Sequence, residues 1–110
     1  MNEQVQSELN TIIKTIADTG MVSRIILFGS IARGEEKHDS DIDLCVLTPI
    51  KDRRPLDISI ELRQKLWGVK KMPLDLLTYN QERFDYQAAR PRSFENIINT
   101  EGVTVYESRA

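Results

Sequence analysis

In the run Asp41-Ile42-Asp43-Leu44-Cys45-Val46, carboxylates and apolar residues alternate with the period of a β-strand. That period puts Asp41 and Asp43 on one face and Ile42, Leu44 and Val46 on the other. With the apolar set buried, the two carboxylates converge on one spot. Left alone they would repel, and one would be driven to hold its proton unless a cation lay between them. A hard divalent ion such as Mg²⁺, which takes oxygen ligands, matches that donor set.

Upstream, Ser23 to Phe28 is rich in β-branched and apolar residues, Gly29 permits a tight turn, and Ser30-Ile31-Ala32-Arg33 starts a short helix that Gly34 stops. Strand, glycine turn and helix start together make an anion site. Backbone N–H groups and the positive end of the helix dipole face a phosphate there, and the Ser30 hydroxyl adds a donor. Taken singly, a Gly-Ser turn is ordinarily a turn, and Asp-x-Asp after a serine is ordinarily a strand edge or a cap. Joined within the stretch from Leu27 to Leu44, they read as a phosphate cradle facing metal-binding carboxylates, which a nucleoside triphosphate carrying Mg²⁺ satisfies at once.

The string Gly29-Ser30-Ile31-Ala32-Arg33-Gly34, followed by Ser40-Asp41-Ile42-Asp43-Leu44, resembles the signature of the minimal nucleotidyltransferases, a branch of the DNA polymerase β-like nucleotidyltransferase superfamily. With Asp75 and the closing Glu101-Gly102-Val103-Thr104-Val105-Tyr106-Glu107 in the same order, the resemblance spans almost the whole chain. It implies an α+β, two-layer nucleotidyltransferase fold: a small mixed β-sheet with helices packed on one face. It also implies that Asp41 and Asp43 bridge two Mg²⁺ ions while Gly29 and Ser30 fix the β- and γ-phosphates of ATP, the nucleotide donor. Small members of this family are often encoded beside HEPN-domain proteins, and the resemblance is to the MntA-like antitoxins of such HEPN/MNT toxin–antitoxin systems. The function so implied is transfer of AMP from ATP to a tyrosine hydroxyl of a HEPN-domain ribonuclease toxin. Two alternatives stand beside it: an antitoxin that silences its toxin by contact alone, and an aminoglycoside-like nucleotidyltransferase acting on small molecules.

Two-metal transfer calls for a third ligand that also touches the attacking nucleophile. Asp75, in Pro73-Leu74-Asp75-Leu76-Leu77-Thr78-Tyr79, belongs to a strand that can lie beside Asp41 and Asp43. Asp57 is its rival in Pro55-Leu56-Asp57, but proline followed by Ile58 to Leu62 reads as a helix start, where aspartate is favoured by the dipole alone. Arg33 has two uses open to it, a phosphate oxygen or an ion pair with Glu35. Ser40 caps or orients the turn into the aspartate strand and so borders the binding site. His38 reads as a solvated loop histidine, Cys45 as a small inert residue, and Lys51, Arg53 and Arg54 as a solvated basic loop with steering of triphosphate as the sharper alternative.

Val5, Leu9, Ile12, Ile13 and Ile16 recur at helical spacing ahead of Gly20. After the aspartate strand, Pro55 opens a helix reaching Trp67 or Gly68, Met72 to Tyr79 forms a third strand, Asn80 and Ser93 cap two further helices, and Val103 to Tyr106 closes as a strand. The helix after Pro55 carries two apolar stripes. Ile58, Leu62, Leu66 and Val69 face the sheet, whereas Leu56, Ile60 and Trp67 point elsewhere, either towards a homo- or hetero-oligomeric partner or, for Trp67, back over the helix end.

The 110 residues make one domain, 1–110, with one modest core. Fifteen basic against 17 acidic residues give a net charge of −2, so no basic field argues for nucleic acid. One cysteine allows no intramolecular disulfide and suits the cytoplasm, and neither a membrane-length apolar run nor a signal-peptide pattern is seen.

Overall fold

The computed structural model describes residues 2–35, 41–69 and 71–108. In chain order the elements are α1 (Glu3–Ala17), β1 (Arg24–Phe28), α2 (Gly29–Ala32), β2 (Ile42–Thr48), α3 (Pro55–Leu66), β3 (Leu74–Asn80), α4 (Gln81–Ala88), α5 (Phe94–Glu101) and β4 (Val103–Glu107). The strands form one mixed sheet in the order β3-β2-β1-β4. β1 is antiparallel to β2 and to β4, and β2 is parallel to β3. A parallel pair needs a crossover, and α3 supplies it.

Local chemistry sets these boundaries. Asn2 caps α1 by accepting from the Val5 N–H at 2.8 Å; Asn80 caps α4 through the Glu82 and Arg83 amides, and Ser93 caps α5 through Asn96. Pro55 occupies the first turn of α3, where its missing N–H costs nothing.

The main core joins α1 (Val5, Leu9, Ile12, Ile16) and α3 (Ile58, Leu62, Leu66) to Ile25, Leu27, Ile42, Leu44 and Val46 of the sheet. This is the helical layer the sequence implies. α4 and α5 add a smaller layer on the opposite face, where Phe84, Ala88 and Ile98 bury Ile26, Cys45 and Leu47. Cys45 is thereby fully buried, and burial pushes its thiol up to about 12, which makes it inert. Asp43, on that same face, is only partly buried.

Of the two stripes on α3, one is buried as expected and the other is not covered: Leu56 and Ile60 are exposed, and Trp67 is 87 % exposed, so its ring does not fold back over the helix end. The Lys51–Arg54 segment is a largely exposed loop in which Lys51 pairs with Glu82, Arg53 with Glu61 and Arg54 with Asp57. No described helix is long and apolar enough to cross a membrane.

Candidate active site

Sheet register assembles the site. Asp43 lies opposite Phe28 in the β1–β2 ladder and opposite Asp75 in the β2–β3 ladder, so the two carboxylates are lateral neighbours on one face. The Ile42 N–H donates to the Pro73 carbonyl at 3.0 Å, which locks the starts of β2 and β3 level with each other. Asp41 stands one residue before β2, exposed.

Gly29 follows Phe28 directly and turns the chain into α2 with φ 78°, a conformation that favours glycine. A second reason for glycine is steric: a Cβ here would overlap the Oδ2 of Asp43. The phosphate turn and the carboxylate are therefore in contact. No side chain caps α2, so its first-turn amides lack partners within the helix, and the Ser30 hydroxyl is without a partner among the described residues.

The electrostatics show charge awaiting compensation. Burial pushes the Asp43 carboxyl up to about 6; its hydrogen bond to Asp75 and the negative charges of Asp75 and Asp41 push the same way, and only the Arg33 guanidinium opposes them. Asp75 is the carboxylate that the sheet sets beside Asp43, whereas Asp57 sits in the first turn of α3, held at 3.0 Å by Arg54. Arg33 pairs with Glu35 at 3.0 Å, and its field also reaches Asp43. Ser40 and His38 lie outside the described residues.

Among the described residues, no three His, Cys, Asp or Glu side chains are already drawn together as a metal site. What exists is the Asp43–Asp75 pair with Asp41 close enough to repel it. These residues fit a hard divalent cation, since every donor is a carboxylate oxygen and a cation would relieve the repulsion among them. A cavity of about 920 Å³ lies elsewhere, between the start of α1 and Lys71 and Met72.

Sequence reasoning did not identify Phe28 and Phe94 at this site. Their rings meet edge to face with centroids 6.2 Å apart, beside the phosphate turn. Phe28 was visible only as a strand residue and Phe94 as the residue after a cap; the signal that finds them is the register of Phe28 with Asp43.

A solved structure assigned as a minimal nucleotidyltransferase matches over 92 % of this chain and 92 % of its own, at 28 % identity and a TM-score of 0.60. A variant of the MntA–HpeT toxin–antitoxin matches over 99 % of this chain and 75 % of its own, at 25 % identity and a TM-score of 0.56. A structure assigned as a nucleotidyltransferase from Sulfolobus solfataricus, at 17 % identity and a TM-score of 0.58, covers 97 % of this chain and 89 % of its own and shares the fold. No curated protein sequence matches. The nucleotidyltransferase domain profile matches residues 7–99, a span that holds the Gly29 turn and all three aspartates, and the chain belongs to that family.

Proposed function

We propose that this chain is a Mg²⁺-dependent protein adenylyltransferase, an antitoxin that transfers AMP from ATP to a tyrosine hydroxyl of a HEPN-domain ribonuclease toxin. The observation that carries the reading is the contact between the Gly29 turn and Asp43, with Asp75 level beside it. Gly29 and Ser30 bind the β- and γ-phosphates through unspent amides and the free hydroxyl. Asp41, Asp43 and Asp75 would hold Mg²⁺, two ions in all, which when bound neutralises triphosphate charge and acidifies the acceptor hydroxyl. Asp75 orients that hydroxyl and takes its proton; the tyrosine oxygen bonds to the α-phosphorus in line as the bond to pyrophosphate breaks, and pyrophosphate leaves.

A protein acceptor is supported by the position of Asp75. It is exposed on β3, the edge strand, where a partner's side chain can approach. The uncovered Leu56, Ile60 and Trp67 surface of α3 supplies an apolar contact of the kind found at interface centres, and the toxin–antitoxin likeness points the same way.

Intact-mass measurement of a HEPN toxin incubated with this chain and Mg-ATP tests the proposal. A gain of AMP mapped to a tyrosine, lost with Asp43→Asn, is expected. Silencing of the toxin with no change in its mass would favour action by contact, and transfer to a free aminoglycoside would favour a small-molecule acceptor.

A further inference from the structure

Phe94 opens α5 with its ring edge-on to Phe28, the planes at 85°. Phe28 precedes the phosphate turn and lies opposite Asp43, so both rings stand on the carboxylate face. Phe28 is half-buried, yet Phe94 keeps 52 % of its surface exposed. Phe28 backs the Phe94 ring, and the Tyr79 hydroxyl donates to Glu95 at 2.9 Å, linking the first turn of α5 to β3. The loop before it carries Arg90 and Arg92, neither with an ion-pair partner among the described residues. Arg92 holds a φ of 66°, a conformation that costs a non-glycine residue free energy and marks many ligand-facing turns.

Across the sheet the order runs from Asp75 on the edge strand, through Asp43, to Phe28 with Phe94 against it. The acceptor side is the open edge; the aromatic side adjoins the phosphate turn. We propose that Phe94 is the stacking platform for the base of the bound nucleoside triphosphate, an inference that rests on the nucleotidyl-transfer reading above. Every base offers a π face, so a lone exposed ring beside a polyphosphate site gives affinity with little base discrimination. Arg90 and Arg92, four and two residues before Phe94 in the chain, add positive charge to this end of α5 beside the negative Glu95.

Calorimetric titration of the full chain with two Mg²⁺-loaded probes tests this: a non-hydrolysable ATP analogue, and tripolyphosphate, which has no base. Phe94→Leu keeps an apolar contact with Phe28 but removes the π face. It should weaken the analogue roughly tenfold and leave tripolyphosphate unchanged, while Phe94→Trp binds the analogue at least as tightly as the wild type. Equal loss of both probes, or no loss of either, overturns the platform, as does an effect confined to the acceptor's KM. If the wild type binds neither probe, the transfer reading itself fails and the platform falls with it.

Discussion

Replacing Asp43 with asparagine should make the metal-free protein more stable while abolishing transfer. The carboxyl titrates near 6 in the folded chain against 3.8 as a free side chain, so ionising it costs the folded state more than the unfolded one. At about 1.4 kcal/mol per pH unit that difference approaches 3 kcal/mol, and solvent screening of a half-exposed group brings it to about 1 kcal/mol. Because the folded pKa is the raised one, the stability at issue is fully present at low pH and is lost as pH rises through 6. Wild type and Asp43→Asn should therefore melt together in chelator at about pH 4, and the variant should melt about 4–8 °C higher at about pH 8. Saturating Mg²⁺ should reverse the order, since only the wild type gains binding free energy. Thermal melts by circular dichroism across that pH range, with EDTA and then with Mg²⁺, give the whole comparison. A variant no more stable than wild type at high pH in EDTA would refute the argument that Asp43 faces uncompensated carboxylates.

Other perturbations separate the roles assigned above. Asp75→Asn should abolish transfer while triphosphate binding, followed by calorimetry, persists; Asp57→Asn should leave transfer intact, because Asp57 only pairs with Arg54 on the surface. Gly29→Ala should cost about 1–2 kcal/mol from its positive φ alone and, by displacing Asp43, remove activity, seen as a lower melting temperature together with lost transfer. Leu62→Ala, in the fully buried contact between α3 and the sheet, should lower the unfolding free energy by about 2–5 kcal/mol in urea titrations. Trp67→Ala should leave the urea midpoint almost unmoved, since the ring is exposed, yet weaken the toxin complex in pull-down titrations.

The elements were legible because each carries its own punctuation. Pro55, Asn80 and Ser93 start helices where the sequence says they should, and the Ile42, Leu44, Val46 alternation marks a strand, although Cys45 and Leu47 on its other face are buried too. The choice between Asp75 and Asp57 rested on strand context, and the fold sets Asp75 level with Asp43 while Asp57 lies on α3. Tertiary facts were not legible. The layer made by α4 and α5 depends on Phe84, Ala88 and Ile98, too few and too scattered for a periodic signal. The ion pairs that occupy Lys51, Arg53 and Arg54 join residues from different turns and helices, and Trp67 shows its exposure only once the path of α3 is fixed.

The contact between Gly29 and Asp43 has a consequence for how such a site can be moved or rebuilt. The glycine's missing side chain is the space the aspartate fills, so the two halves of the motif are a lock and its key rather than two separable sites. The distance between them is set by neighbouring strands, Phe28 against Asp43, and not by the number of residues connecting them. A transplant that carries the turn without the partner strand would deliver a phosphate loop with no carboxylate to meet it. One that keeps both strands should tolerate a connection of altered length.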